Sequence, residues 1–440
     1  GGNVMSDPHD EDFLKEITDI LDKPEASAPR TSPVTHRRPR RRRRFPWLAC
    51  GTMLLTGALI FACFRYVQDR GRESADSTTP TTTVAGEGDT LTIAAAGDVN
   101  VTQALLDSAR GADGSYDFSR MILGAASLLS GADLTVADLE VNFCGAPYDP
   151  AAYNAPESLL TALSGAGVDL VQTANTVSVY NGVAGLSSTL AAVERAGLLP
   201  VGTFATEEQA RQTKGFTMVE VKGFRVAFVA FTKGVGNLRL PEGAEGCVNL
   251  LYTDYNTTYQ DVDTEGIRHI LSQVQSEKPD IVIALLHWGS EYDSSVSKTQ
   301  EEIRDLMLQG GVDVILGTHS HLVGPLEMTT AQGETMLTAY SLGNLLSTGE
   351  ESEDSQGLVL KLEFTKKGDQ TELTGYHYDP IYLAGNGRTG VGAFEILNIR
   401  DEISLYESQY VGRVSQEVYE ALKQSLEQVE VSVKAREEEP

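Results

Sequence analysis

The sequence contains no Cys-x-x-Cys pair and no cysteine–histidine spacing of the kind that holds zinc, and only four of its 440 residues are cysteine. A structural zinc site built on thiolates is therefore not expected. Cys50 and Cys63 lie in an apolar stretch, which leaves Cys144 and Cys247 in the remainder of the chain. Those two are expected either to bond to each other in an oxidising compartment or to be buried as thiols. Positive charge is scarce as well: 35 Lys/Arg stand against 62 Asp/Glu, a net charge of −27. Residues 1–44 hold ten of the bases and eight of the acids, leaving 25 bases against 54 acids for the rest. Such a surface repels nucleic acid and anionic lipid, and needs cations to hold an anionic substrate. Nucleic-acid binding is set aside on that ground. With 41% hydrophobic and 22% charged residues the composition is otherwise that of a globular protein.

One segment stands apart. Residues 45–64 (FPWLACGTMLLTGALIFACF) hold no charge across twenty positions, about the length that spans a bilayer's hydrocarbon core as a helix. Seven arginines crowd into positions 37–44 immediately before it. The positive-inside rule then predicts a single-pass anchor, with residues 1–44 cytoplasmic and everything after Phe64 outside the cell. Cleavage at Cys63 as a lipoprotein is the rival reading, and a retained anchor fits better. Within the cytoplasmic tail, otherwise expected to be largely disordered, residues 10–23 place Phe13, Leu14, Ile17, Ile20 and Leu21 at helical spacing. Residues 65–90, rich in Thr, Ser and Gly, read as a flexible stalk.

From Leu91 short apolar runs alternate with helical patterns, several closed by glycine, and predict an α/β domain over residues 91–400. Residues 357–365 and 375–384 read as later antiparallel strands, and 401–440 as an acidic helical tail. In such sheets ligands gather where the strands end. Here those ends carry Gly97-Asp98 with Asn100 following, Asp138-Leu139-Glu140, Ala174-Asn175, His287, and the His319/His321 loop. Oxygen donors mixed with imidazoles suit Mn, Fe or Zn. Each element alone is also what a capped turn or a solvated loop would show. The helical stretch 299–309 joins the runs ending at His287 and before His319, so a right-handed crossover would bring both ends to one edge.

The segments AAAGDVN, ADLTVADLE, LLTALSGAGVDLVQTAN, LHWGSEY, VDVILGTHSH and YSLGN occur in one order, and in that order the chain resembles the poly-γ-glutamate capsule-synthesis (CapA-type) family. The resemblance implies a metallophosphatase-like α/β/β/α sandwich, preceded here by one transmembrane helix. It implies two divalent metal ions on Asp98, Glu140, Asn175, His287, His319 and His321, with Asn100 and Asp138 as further members and Glu291 orienting His287. The family's asparagine, here Asn175, usually continues into Asn-His, with an aspartate three residues after that histidine, a pair thought to protonate the leaving oxygen or stabilise charge. Val177 and Tyr180 stand at those two positions, and valine donates no proton. Two functions follow from the resemblance. One is assembly, export or attachment of an anionic envelope polymer alongside other capsule-assembly membrane proteins. The other is a metal-dependent phosphoesterase acting on a phosphoester substrate.

Overall fold

The computed structural model describes residues 88–236, 238–331, 334–348, 355–385, 393–408 and 413–436. The segments 10–23 and 45–64 lie outside the described residues, as does nearly all of 65–90. Among the described residues no helix is long and apolar enough to cross a membrane.

Strand β7 (Ile281–His287) reads IVIALLH and is buried at every position, as a parallel strand covered on both faces must be. Successive side chains point to opposite faces. Ile281, Ile283 and Leu285 enter one core, while Val282, Ala284 and Leu286 enter another. The same alternation runs through β1 (Asp89–Val99), where Ile93 and Ala95 join the first of these cores and Ala94 and Ala96 a third.

These alternations build two stacked sheets. One orders β14 (Glu395–Asn398), β13 (Gln370–Ala384), β12 (Gln356–Lys367), β1, β2 (Leu134–Leu139), β3 (Leu170–Gln172) and β4 (Leu199–Val201). The short β11 (Asn344–Leu346) lies parallel to the end of β1. The other orders β5 (Thr217–Val221), β6 (Phe224–Thr232), β7, β8 (Val314–Thr318), β10 (Glu334–Ala339) and β9 (Leu326–Ala331). β1 through β4 are parallel, as are β6, β7, β8 and β10. β12 and β13 are antiparallel, as their sequences suggest.

Leu91, Val136, Phe228, Ile283, Leu316 and Leu360 fill the space between the sheets. The outer face of the first sheet is covered by α1 (Ser158–Gly165) and α2 (Gly182–Arg195) through Leu159, Leu163 and Val193. The second is covered by α3 (Thr264–Ser276) and α4 (Lys298–Gln309) through Ile267, Leu271 and Ile303. Helix, sheet, sheet, helix is thus the layer order, and the chain is a mixed α/β sandwich. The acidic tail forms α5 (Ile399–Glu407) and α6 (Gln416–Lys434). Val418 and Leu422 pack with Tyr382 and Leu397, and Val429 and Val433 reach the core between the sheets.

The cysteines meet expectation in part: both are free thiols, Cys247 buried as expected of an unbonded thiol but Cys144 exposed. Cys247 belongs to a small core with Leu186, Leu190 and Val235. Cys144 faces outward from a loop whose backbone is tied to Asn154 Oδ1 at 2.9 Å.

Candidate metal centre

Strand alternation decides which side chains meet. Val136, Leu285 and Leu316 face the space between the sheets, so Asp138, His287 and Thr318, two residues further on, face it too. Glu140 follows Asp138 by the same step. All sit at the carboxyl ends of parallel strands. β1 arrives differently, because its pairing with β2 shifts register between Ala96 and Asp98. Gly97 makes room for this: a Cβ there would lie 1.8 Å from Gly343 O. The Asp98 N–H donates to that same carbonyl at 2.9 Å. After β8 the chain turns through His319 and His321 with φ of 93° and 60°. Non-glycine residues are uncommon in this left-handed region, and the turn aims both rings back toward Asp98 and Glu140.

The result is a buried knot of carboxylates and imidazoles. His287 Nδ1 is 3.0 Å from Asp138 Oδ2 and 3.1 Å from Thr318 Oγ1. Its Nε2 is 3.0 Å from Glu140 Oε1 and 3.5 Å from Thr176 Oγ1. His321 Nδ1 is 3.3 Å from Asp98 Oδ2 and 3.0 Å from Asn344 Oδ1, and its Nε2 is 3.8 Å from Glu140 Oε2. The His319 backbone N–H donates to Asp98, 3.3 Å from each carboxylate oxygen. Its ring centre lies 4.5 Å from that of His287. Asn175 donates through Nδ2 to Asp138 Oδ1 at 3.2 Å and to Leu139 O at 2.8 Å, while its Oδ1 accepts the Val177 N–H at 3.2 Å.

Charges this close and this dry shift one another. Burial disfavours a charged His287, yet the Asp138 and Glu140 carboxylates overcome it and push the ring up to about 10. For His321 the same opposition, won by Asp98 and then Glu140 and Asn344, also ends at about 10. Burial would raise Asp98, but His321 and His287 hold it below the ordinary carboxylate range. Asp138 goes the other way, up to about 7, driven by burial with Asp98 and Glu140 adding to it against His287. His319 is pushed well below its ordinary value, by burial first and then by the charges of His287, Lys233 and His321.

These residues fit divalent metal ions. Glu140, His287 and His319 can bring one donor atom each within 4.8 Å of one another, and so can Asp98, Asp138 and His287. His319 Nδ1 is buried without a hydrogen-bond partner, a cost that a bound cation would remove. Neutral His319 is also the protonation state that ligates.

Of the residues named from sequence, Asp98, Glu140, His287, His319 and His321 converge directly, and Asn175 joins through its amide. Asp138 belongs to the knot. Asn100 lies just past β1, where its backbone N–H donates to Leu346 O at 2.7 Å. Glu291 does not orient His287. The chain turns at Gly289 with φ of 76°, and the Glu291 side chain is exposed. Asp138 and Thr318 hold the ring instead. Val177 is buried and Tyr180 exposed, edge-on to Tyr153 at 4.9 Å between ring centres. Sequence reasoning missed Thr176, Thr318 and Asn344 as members. Asn344 alone carried a signal, as the end of the Ser341–Asn344 turn.

The chain is 26% identical over 196 residues to a capsule biosynthesis protein CapA of Bacillus anthracis, covering 44% of this chain and 43% of that one. It is 24% identical over 238 residues to a PGA biosynthesis protein CapA of Bacillus subtilis, covering 54% and 57%. The chain thus spans about half the length of the curated relatives it matches. A solved calcineurin-like phosphoesterase from Bacillus subtilis aligns at 13% identity with a TM-score of 0.40, covering 77% of this chain and 97% of that one. The model of the bacterial capsule synthesis protein family PGA_cap matches residues 92–348, a span that contains every side chain of the knot. The chain is a member of the bacterial capsule synthesis protein family.

Proposed function

We propose that this protein assists the synthesis, export or attachment of an anionic cell-envelope polymer from the outer side of the membrane, using a divalent-metal cleft of low hydrolytic power. The observation that carries the reading is the knot itself, with its unpartnered His319 Nδ1 beside a loop that offers no proton donor at Val177. Asp98, Asp138, Glu140, His287, His319 and His321 would hold the metals. When bound, divalent ions polarise a phosphoryl or carboxyl oxygen and neutralise the anionic cleft. The chain's own residues contribute the rest. Asp138 and Thr318 fix the His287 ring, Asn344 fixes His321, and the sheets on either side exclude water. The twenty uncharged positions 45–64 beside seven arginines support an outward-facing anchored domain, and envelope-assembly membrane proteins are the partners this placement suggests.

A second reading is an active metal-dependent phosphoesterase. The near-complete set of ligand types favours it, and Val177 opposes it. Hydrolysis of aryl and alkyl phosphodiesters by metal-loaded protein separates the two. Aryl esters leave with little protonation, so slow turnover confined to them supports the assembly reading. Alkyl turnover at ordinary enzyme rates, on the order of 10 per second, would favour the phosphoesterase.

A further inference from the structure

Lys233 follows β6 directly, at the same sheet edge as the metal knot. Thr232 pairs with His287 across β6 and β7, and the Lys233 backbone N–H donates to His287 O at 2.8 Å. Its ammonium donates to Gly289 O and lies 4.7 Å from the centre of the Tyr259 ring. Among the described residues no carboxylate oxygen comes within 4.0 Å of it, Glu291 included. Its charge nevertheless reaches His319.

Most of the partly buried bases among the described residues have a carboxylate beside them, as Arg304 does with Glu327 and Arg436 with Glu301. A half-buried ammonium held by one carbonyl and one aromatic face keeps donors to spare. Lysine offers phosphate or carboxylate a compact point charge. Aromatic support holds the stem in place without neutralising the head.

We propose that Lys233 is an anion-binding residue of the cleft, holding an oxyanion of the substrate beside the metal knot. The proposal rests on the metal-cleft reading above and adds to it a lysine cation at the same sheet edge. In a site built of carboxylates and imidazoles, a lysine cation at this edge would select for oxyanions and orient the end that lies away from the metals.

The test uses full-length protein in detergent, loaded with Mn²⁺ and titrated calorimetrically with orthophosphate and, separately, with glutarate. Lys233→Met keeps the apolar stem on Tyr259 and removes the charge, and Lys233→Arg restores charge. Far-ultraviolet circular dichroism and thermal melting establish that both variants fold. Lys233→Met should bind as much Mn²⁺ as the wild type while its affinity for at least one probe falls roughly tenfold, the worth of one partly exposed charged hydrogen bond. Lys233→Arg should regain most of it. The probe that responds identifies phosphate or carboxylate as the group held. Unchanged affinity for both probes in Lys233→Met would overturn the proposal, and so would loss of Mn²⁺ from that variant, since Lys233 would then support the metal site itself. If the wild type takes up no metal, the metal reading falls separately. The same titrations on metal-free protein then decide Lys233, with dependence on the residue supporting its role and indifference removing it.

Discussion

At the scale of single residues, the centre depends on protons as much as on positions. His287 and His321 are both held up to about 10 by neighbouring carboxylates, so each carries a proton at neutral pH while no metal is bound. A ligating imidazole must give that proton up. Metal binding should therefore release protons, and affinity should rise with pH by roughly tenfold or more per unit between about pH 6 and 8. Calorimetry in buffers of different ionisation heat would register the release; a binding heat independent of buffer would contradict the ring assignments. Val177 makes the second residue-scale claim. Its backbone is held by Asn175 Oδ1 and Asn142 Nδ2, each at 3.2 Å, so the loop does not rely on the valine side chain for its path. Val177→His/Tyr180→Asp should raise alkyl phosphodiester hydrolysis above either single change, toward the roughly 10²–10⁴-fold that a positioned proton donor contributes. Equal rates in the double and single variants would refute the role given to this loop. These positions were legible in the sequence because metal ligands and proton donors belong to few residue types. Thr176 and Thr318 were not, since a threonine at a strand end has many ordinary uses and only the folded register aims it at His287.

At the scale of elements, the knot exists because two sheets bring their strand ends together. The β7–α4–β8 crossover was readable from apolar runs flanking an amphipathic stretch, and the parallel pairing of His287 with Thr318 follows it. The junction of β1 with β11 was not readable, because it depends on a register shift and on the absence of one Cβ. Gly97→Ala would drive a methyl into Gly343 O, 1.8 Å from the ideal Cβ. It should cost about 1–3 kcal/mol, as overpacking does, and should lower metal content together with stability. Urea melts and metal analysis unchanged by the substitution would contradict the junction's role. A second junction ties the outer helix to the sheet. Glu327 on β9 accepts from Arg304 of α4 at 2.9 Å and from Tyr340 Oη at 2.7 Å, and Arg436 Nε lies 3.2 Å away. Burial would raise this carboxyl, but the Tyr340 hydrogen bond and the two guanidinium charges lower it below the ordinary glutamate range. A depressed carboxylate stabilises the fold above its unfolded pKa, and that contribution is lost as pH falls through the folded value. Glu327→Gln should therefore cost about 1–2 kcal/mol at neutral pH, with the gap to wild type closing in acid. A gap independent of pH would mean that packing, not charge, holds this corner.

At the scale of the whole molecule, the acidic composition and the proposed metal binding belong together: a chain with 27 net negative charges would hold the anionic polymer proposed for it only where cations concentrate. The proposed placement outside the cell has its own test. Protease applied to intact cells should remove epitopes inserted after residue 90 and spare one near residue 10, and the reverse pattern would overturn it. The proposed function depends first on whether the knot holds metal, so the most direct measurement is the divalent-metal content of the purified protein beside its His319→Ala/His321→Ala variant. Both histidines lie on a turn beyond β8 rather than in a core strand, so the variant should keep its circular dichroism and lose the metal. At least one equivalent per wild-type chain, absent from the folded variant, is the expected result; equal occupancy in the two proteins, or none in either, would contradict the account.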